Sequence, residues 1–440
     1  MNMRATYFYV FLAGLAILPL FFSRLSVHLF SILLFLDVIL LGVFNRGTFT
    51  FVGLRVGFFD IFILSSTFIL FFRFRTRISF QMLLPFSVYL LLFSLSVLFK
   101  PEIMESGTFY WQLFAVENLL ILILAMMVID SKREARLLLG SVTVLMSLVV
   151  LYFFYRYWQH GQISFGGIAE DRETTVLAFP EGSAYGNKNA MAGQILPVMM
   201  MLMVFAFELK SKTLRLVSGL VATLAFLVIL ASASRGAAIA GIGSTAFYLG
   251  LRFRSGRLSI IPLILVSLVA VTLALESDMG QRLLDRVLIR GDKQEAALTD
   301  YNRLSLIKTS AALIKRHPLL GIGFDEQNFM LENEKYNFSD KVWAHPHNSY
   351  LHLWVFGGTL TFIGLIWVVS RLASPTWKLL RKRLNDPLLL AVATALIALL
   401  LDFGTDRTFF VGPISHLFFM LLAGSCIYSG YLLREYEEQE

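Results

Sequence analysis

Long uninterrupted apolar runs constrain the fold of this chain more than any other feature of its sequence. In lipid, each run must satisfy its own backbone hydrogen bonds, and the alternation typical of a closed barrel is not visible. A helix needs roughly 20 apolar residues to cross a bilayer. We therefore predict an all-α polytopic membrane protein with about 12 transmembrane helices. The runs lie near residues 7–22, 27–43, 58–72, 80–99, 110–129, 137–155, 189–207, 216–232, 236–251, 258–275, 350–370, 387–401 and 409–430.

Composition supports this prediction and limits the other classes. The chain is 57% hydrophobic and 15% charged, whereas soluble domains are about half apolar and about a quarter charged. The net charge of +8 is expected from Lys and Arg in cytoplasmic loops, so it does not predict a nucleic-acid partner. The single cysteine, Cys426, allows neither an internal disulfide nor a Cys-rich metal site.

Short basic loops predict the orientation of the helices. Because positive loops stay in the cytoplasm, the loops between them, including 156–188, 276–349 and 402–408, are expected to face outward. Run 7–22 is short, so the side of the N-terminus stays open. The strongly positive loops are 73–77, 132–136, 210–215, 252–257 and 378–383.

The segment 276–349 is the main feature outside the predicted membrane spans. It divides the chain into N-terminal transmembrane helices in 1–275, a periplasmic loop or cap in 276–349, and C-terminal transmembrane helices in 350–440. Apolar residues recur at helical spacing within it and predict an amphipathic helix that ends before Pro318, forming a small helical cap. These apolar residues are Leu304, Ile307, Ala311 and Ile314.

A histidine cluster lies where this loop meets the next apolar run. It contains His345, His347 and His352, with Asn348 between them. A neutral imidazole here can take a proton from a sugar hydroxyl, and Asn348 can orient a ring or a substrate. Two alternatives stay open: the cluster caps the helix at the membrane interface, or His345 and His347 bind a metal, although no carboxylate or Cys spacing supports that reading.

Three cations, Lys100, Arg235 and Arg303, fall on the predicted outer face together with His347. Arg235 breaks the positive-inside pattern, and a bidentate guanidinium suits a diphosphate. The alternatives are that Arg235 and Lys100 snorkel to the headgroups and that Arg303 lies on a solvated helix face. Several cations on one side suit a doubly charged lipid phosphate better than one does.

Further polar residues lie near the predicted outer helix ends or within the runs. Asn189 can cap its helix, whose first amides could also face an anion. Glu117, inside an apolar run, is either a proton relay or a structural hydrogen-bond partner. Asp402, Asp406 and Arg407 are expected to pair with each other in a short outer turn.

Four motifs together resemble the O-antigen ligase and polymerase superfamily. They lie in a fixed order between residues 186 and 365. The motifs are Gly-Asn-Lys-Asn at 186–189, Ser-Arg-Gly at 234–236, Arg303 followed by His-Pro-Leu-Leu-Gly-Ile-Gly-Phe at 317–324, and His-Pro-His-Asn-Ser-Tyr-Leu at 345–351 followed by Phe-Gly-Gly at 356–358.

The resemblance implies a metal-independent, inverting glycosyltransferase that uses no cofactor. It would act at the periplasmic face of a bacterial inner membrane, with a glycan on undecaprenyl diphosphate as donor and lipid A–core as acceptor. His347 matches the family's general base, and Arg235 and Arg303 match the arginines that hold the donor diphosphate. Lys100 is expected in the same pocket.

Three further residues, His345, Asn348 and Asn189, are expected to support this site. Two other functions stay open from the sequence. A polymerase of O-antigen or exopolysaccharide would use the same donor with a different acceptor. A transporter or flippase for an anionic lipid would use the same basic pocket without chemistry.

Overall fold

The computed structural model describes residues 48–51, 54–57, 80–98, 116–159, 163–164, 167–168, 188–232, 234–254, 293–336, 344–382 and 386–439. These residues are mostly helical. Two short antiparallel hairpins pair β1 (Thr48–Phe51) with β2 (Leu54–Gly57) and β3 (Ile163–Ser164) with β4 (Gly167–Ile168). The helices are α1 (Phe80–Leu98), α2 (Asn118–Val128), α3 (Lys132–Gln159), α4 (Lys188–Glu208), α5 (Lys212–Ser232), α6 (Arg235–Arg254), α7 (Lys293–Arg316), α8 (Glu326–Tyr336), α9 (Ser349–Arg381), α10 (Pro387–Phe403) and α11 (Gly412–Glu437), with a 3-10 turn at Thr408–Phe410.

Five helices within the described residues, α3, α4, α5, α9 and α11, are long and apolar enough to cross a membrane. Further apolar helices are α1, α2 and α10. Nine of the predicted apolar runs coincide with described helices, so a helical, multi-pass membrane protein is confirmed. The total of about 12 spans stays a prediction based on run length. Runs 7–22, 27–43, 58–72 and 258–275 lie outside the described residues.

Helix α10 lies among the other helices, and its sequence explains why. It is apolar on nearly all sides and most of its residues are buried, as expected of a helix surrounded by other helices. It packs against α4, α6 and α11, while α9 packs against α1 and α11. Outer helices expose large apolar side chains instead: Leu216 on α5 is 65% exposed and Ile242 on α6 is 73% exposed, which suits contact with lipid.

The polar contacts of the bundle separate into two ends. At one end, Lys132 pairs with Glu435 at 2.5 Å and Arg252 pairs with Glu208. This end carries the basic loops for which the sequence predicts a cytoplasmic position. At the other end, Asn189 contacts Asp406. Because Asn189 and Glu208 occupy the two ends of α4, these two sets of contacts lie at opposite ends of the bundle.

Glu117 lies just before α2 and contacts His416 of α11, with Oε2 and Nε2 3.0 Å apart. Both side chains are buried. A buried polar group is stable when it is hydrogen-bonded. The contact therefore favours a structural hydrogen bond between two helices over a proton relay at Glu117.

The predicted amphipathic helix in the loop is confirmed as α7, which ends at Arg316, ahead of Pro318. Two residues of its predicted apolar face, Leu304 and Ile307, are 51% and 50% exposed. Small polar groups lie inside instead, and they are hydrogen-bonded; for example, Thr309 donates to Asn333 of α8 at 3.1 Å. The buried residues are Ser305, Leu306, Thr309, Ser310 and Leu313. The three-part domain division and the cap's position outside the membrane stay predictions.

The helical pair α7 and α8 is attached to the bundle by backbone hydrogen bonds at a break in α9. Gly358 has φ 75°, and the backbone opens there to bond the segment that follows α7. Ile322 N donates to Val355 O at 2.9 Å, and Thr359 N donates to Pro318 O at 2.8 Å. A Cβ on Gly358 would overlap the carbonyl of Leu319, so this close approach requires glycine.

Candidate functional site

A cavity of about 510 Å³ lies at the end of the bundle where α6 and α9 begin. Arg235, Arg303 and His347 line it together, although they come from the start of α6, from α7 and from the residues before α9. The structure therefore brings together three of the residues singled out in the sequence. The rest of the described wall is mostly apolar and includes Ile229, Leu230, Ile239, Ile242, Leu306, Ile307 and Leu351.

The charge of this cavity favours an anionic ligand. Its lining, as far as the structure describes it, includes two arginines and no Asp or Glu. Arginine side chains form paired, charge-assisted hydrogen bonds with phosphate oxygens. The apolar wall beside them suits a hydrocarbon chain, so the cavity matches an amphiphile with a phosphate head.

Gly236 explains how Arg235 reaches this position. A Cβ on Gly236 would overlap Oγ1 of Thr405, which follows α10. The absence of a side chain lets the first turn of α6 approach that turn closely. Packing therefore requires the glycine of the Ser-Arg-Gly motif, and this glycine lies next to Arg235, which lines the cavity.

Asn348 fixes the segment that carries His347. Its Oδ1 accepts a hydrogen bond from Leu351 N at 3.0 Å and so caps α9. Its Nδ2 donates to the carbonyl of Gly404 at 2.6 Å. Asn348 therefore joins the start of α9 to the turn after α10.

Asp406, predicted from the sequence only as part of an outer turn, belongs to this site. Its Oδ2 accepts a hydrogen bond from Asn189 Nδ2 at 2.5 Å, and its Oδ1 accepts one from Arg407 N at 2.7 Å. The same Oδ1 lies 3.6 Å from Nδ1 of His347. One signal could have found it: loop 402–408 was predicted on the same side as His347.

The environment of Asp406 keeps its carboxylate charged. Burial raises the pKa of Asp406, but interactions with His347, the Arg407 amide and Asn189 outweigh burial and hold that pKa below its ordinary value. A negative charge therefore stays next to the His347 ring near neutral pH. Asn189, expected to cap α4, contributes to the site by holding this carboxylate.

Arg407 does not pair with its neighbouring carboxylates through its side chain, so the expected pairing within the turn is wrong. Its Nη1 donates to Glu326 Oε1 at 2.5 Å and to His345 Nδ1 at 2.9 Å. Glu326 is the first residue of α8. Three elements meet at this half-buried guanidinium: the turn after α10, the start of α8 and the segment before α9.

His345 is neutral near physiological pH. Burial lowers its pKa to about 3, and the charges of Arg407 and His347 add to that effect. Since Nδ1 accepts from Arg407, the ring proton of the neutral form is on Nε2. A ring nitrogen committed to a guanidinium in this way is a poor metal ligand.

The histidine cluster predicted from the sequence separates into three environments. His347 lines the cavity and His345 bonds Arg407. His352 is buried and stacks between Phe356 and Phe410, with ring centroids 4.2 and 4.0 Å apart. Lys100, the third predicted cation, lies outside the described residues.

Residues 219–366 match the family model described as O-antigen ligase. This part of the chain is therefore similar to the O-antigen ligase family. No curated protein matches the chain. The matched part of the chain runs from within α5 to within α9, so it contains Arg235, Arg303 and His347, whereas Asn189 and Asp406 lie outside it.

Proposed function

We propose that this protein is an O-antigen ligase that transfers a glycan from undecaprenyl diphosphate to lipid A–core at the periplasmic face of the inner membrane. One observation carries the proposal: Arg235, Arg303 and His347 line a single cavity whose remaining wall is mostly apolar. The match of residues 219–366 to the O-antigen ligase family supports glycosyl transfer by a membrane protein.

Different parts of the cavity bind the diphosphate and the polyprenyl chain of the donor. Arg235 and Arg303 bind the diphosphate, because their planar guanidinium groups each offer paired donors to phosphate oxygens. Ile239, Ile242 and Ile307 form the apolar wall beside them, and the polyprenyl chain runs along it. Lys100 is proposed as a third cation of this pocket.

His347 acts as the general base in this scheme. It accepts the proton of the acceptor hydroxyl as that oxygen attacks the anomeric carbon of the donor glycan. The bond between this carbon and the diphosphate oxygen breaks, undecaprenyl diphosphate leaves, and the configuration inverts. Arg235 and Arg303 stabilise the negative charge that grows on the leaving group. The scheme requires no metal and no cofactor.

Asp406 positions the base. Its carboxylate approaches Nδ1 of His347, which directs the other ring nitrogen toward the reacting hydroxyl. The negative charge also stabilises the imidazolium that forms when His347 takes the proton. Asn189 and Asn348 support this arrangement from α4 and from the cap of α9.

The distribution of charge supports a periplasmic location for the cavity. The basic ends of α3, α5, α6 and α9 lie at the end of the bundle opposite to it. Positive residues next to membrane spans remain in the cytoplasm. The cavity then opens toward the periplasm, where lipid-linked glycan and lipid A–core would meet.

Transfer by the purified protein tests this proposal. The protein in lipid nanodiscs is incubated with lipid-linked glycan and lipid A–core, with and without a chelator. We expect lipid A–core to gain the glycan at equal rates in both samples. Absence of transfer would refute the ligase function, and loss of transfer with the chelator would refute the metal-independent mechanism.

Complementation separates a ligase from a polymerase, which uses the same donor. A ligase-null strain that expresses this protein is expected to regain lipopolysaccharide carrying long glycan chains, seen as a ladder on a gel. Recovery of chain length only in a polymerase-null strain would assign the polymerase function instead.

A further inference from the structure

A second polar cluster lies next to His347 but outside the described lining of the cavity. It consists of Glu326, His345 and Arg407, joined by the two hydrogen bonds of Arg407 Nη1. The ring centroids of His345 and His347 are 5.1 Å apart. The cluster is therefore close enough to hold a molecule that reaches the same imidazole.

Arg407 has hydrogen-bonding capacity that these contacts do not use. Both hydrogen bonds involve Nη1, and a guanidinium carries five N–H groups, so the three on Nε and Nη2 remain for a ligand. The side chain is 31% exposed, and that of Glu326 is 37% exposed. His345 adds the N–H of its Nε2 atom, since its Nδ1 is the acceptor.

The net charge of this cluster differs from that of the cavity. The carboxylate of Glu326 balances Arg407 at 2.5 Å, and His345 is neutral. A neutral group of donors and acceptors suits a polyhydroxylated ligand, whereas the described cavity wall contains two arginines and no acid. The two regions beside His347 are thus suited to different chemistry: a phosphate in the cavity and sugar hydroxyls at the cluster.

An inverting displacement requires separate binding surfaces for the donor diphosphate and for the acceptor sugar. The attacking hydroxyl approaches the anomeric carbon from the side opposite to the leaving diphosphate, and it must also contact the base. An acceptor sugar therefore needs a binding surface next to His347 that is separate from the diphosphate site. The cluster of Glu326, His345 and Arg407 occupies a position of this kind.

We infer that Glu326, His345 and Arg407 form the acceptor subsite and bind hydroxyl groups of the acceptor sugar next to His347. This inference rests on the proposed transferase function. Arg407 donates from Nε and Nη2, Glu326 accepts from sugar hydroxyls, and His345 donates from Nε2. The segment that supplies His345 leads into α9 and the residue Glu326 begins α8, so the acceptor is held between the helical pair and the bundle.

Arg407→Lys is the most informative variant. Lysine keeps the positive charge and can still pair with Glu326, but it lacks the planar fork. With the full-length protein in nanodiscs, we expect the KM for lipid A–core to rise about tenfold. The KM for the lipid-linked donor, kcat and the apparent melting temperature are expected to stay close to those of the wild type. Glu326→Gln is expected to raise the same KM.

Arg316→Gln is the matched control. Arg316 pairs with Glu332 between α7 and α8 at 3.3 Å. This pair has the same chemistry as that of Arg407 and Glu326 but lies outside the described cavity wall and the cluster. We expect this variant to leave both KM values unchanged. A purely structural role for Arg407 would predict a wild-type acceptor KM in Arg407→Lys, and that result would overturn the inference.

Direct binding separates failure of this inference from failure of the proposed function. Core oligosaccharide freed of lipid is mixed with nanodisc-embedded protein without any donor, and saturation-transfer NMR reports binding. We expect signals with the wild type and Arg316→Gln and weaker signals with Arg407→Lys. No binding by the wild type would overturn the subsite. Binding that Arg407→Lys weakens would support the subsite even if the transfer assay showed no ligase activity.

Discussion

Nδ1 of His347 lies 3.6 Å from Oδ1 of Asp406, a carboxylate that comes from the turn after α10. Asp406 is buried and is itself held by Asn189 of α4. The orientation of the proposed base therefore depends on parts of the chain that lie far from it in sequence. Asn348 also joins the segment of His347 to the turn after α10, because its Nδ2 donates to the carbonyl of Gly404.

Asp406→Asn tests this relationship. An amide removes the negative charge next to His347 and leaves the volume unchanged, so we expect kcat to fall about 100-fold, within the range for general-base catalysis. Binding of the donor is expected to persist, because Arg235 and Arg303 are unchanged. Single-turnover transfer and binding of undecaprenyl diphosphate are the two measurements.

Asp386→Asn serves as the control for that variant. Asp386 caps α10 and accepts a hydrogen bond from Tyr428 at 2.8 Å, at the opposite end of the bundle. We expect a lower apparent melting temperature with an unchanged kcat. Equal losses of kcat in both variants would show that Asp406 acts only through folding.

Arg235→Lys tests the diphosphate clamp. An ammonium keeps the charge but cannot bind two phosphate oxygens in a plane, so we expect the affinity for undecaprenyl diphosphate to fall about tenfold. Arg254→Lys, at the other end of α6, is the matched control and should bind like the wild type. Wild-type affinity in Arg235→Lys would argue against bidentate binding.

Gly358→Ala tests the junction between α9 and the helical pair. The positive φ costs an alanine about 1–3 kcal/mol, and its Cβ would overlap Leu319 O. We expect a clear drop in apparent melting temperature and in transfer. Gly250→Ala on α6 has open space around the added Cβ and should be neutral or stabilising by about 0.5–1 kcal/mol, as is usual within a helix. Similar behaviour of the two variants would contradict the junction.

His345 predicts a pH dependence of stability. Its pKa is about 3 in the folded protein and 6.5 as the ordinary value, so the unfolded chain binds more protons between these values. Stability therefore falls as pH falls through that window. The pKa of Asp406 is lowered from 3.8, so its own contribution to stability is lost mainly below about pH 4, outside the pH range compared below.

The measurement compares apparent melting temperatures of the wild type and His345→Gln at about pH 7.5 and about pH 5. Glutamine can still accept a hydrogen bond from Arg407 but does not titrate. We expect the melting temperature of the wild type to fall more on acidification than that of the variant. Equal changes would show that folding does not lower the pKa of His345.

The sequence was informative where lipid imposes a strict rule. Each described apolar run forms a helix because unpaired backbone groups are costly in a bilayer. Pro318 also indicated where α7 ends, because a proline disfavours a helical conformation in the residue before it. The same periodicity identified α7 but did not show what its apolar face contacts: Leu304 and Ile307 are exposed in the structure, and Ile307 lines the cavity.

The site was predictable only in part. Arg235, Arg303 and His347 were identified because positive charges are uncommon on the outer face of a membrane protein and an imidazole there can act as a base. The structure places all three on one cavity. Asp406 and Arg407 were expected to satisfy each other, since they are adjacent. Their partners Asn189 and Glu326 come from distant helices, and no local pattern in the sequence reveals such pairings.

The most direct test of the account is glycan transfer by His347→Ala, measured beside its affinity for undecaprenyl diphosphate. His317→Ala, at the end of α7 and outside the described cavity wall, is the control. We predict that His347→Ala loses at least about 100-fold in transfer while it binds donor like the wild type, and that His317→Ala keeps both. Transfer by His347→Ala at the wild-type rate would contradict the proposed centre.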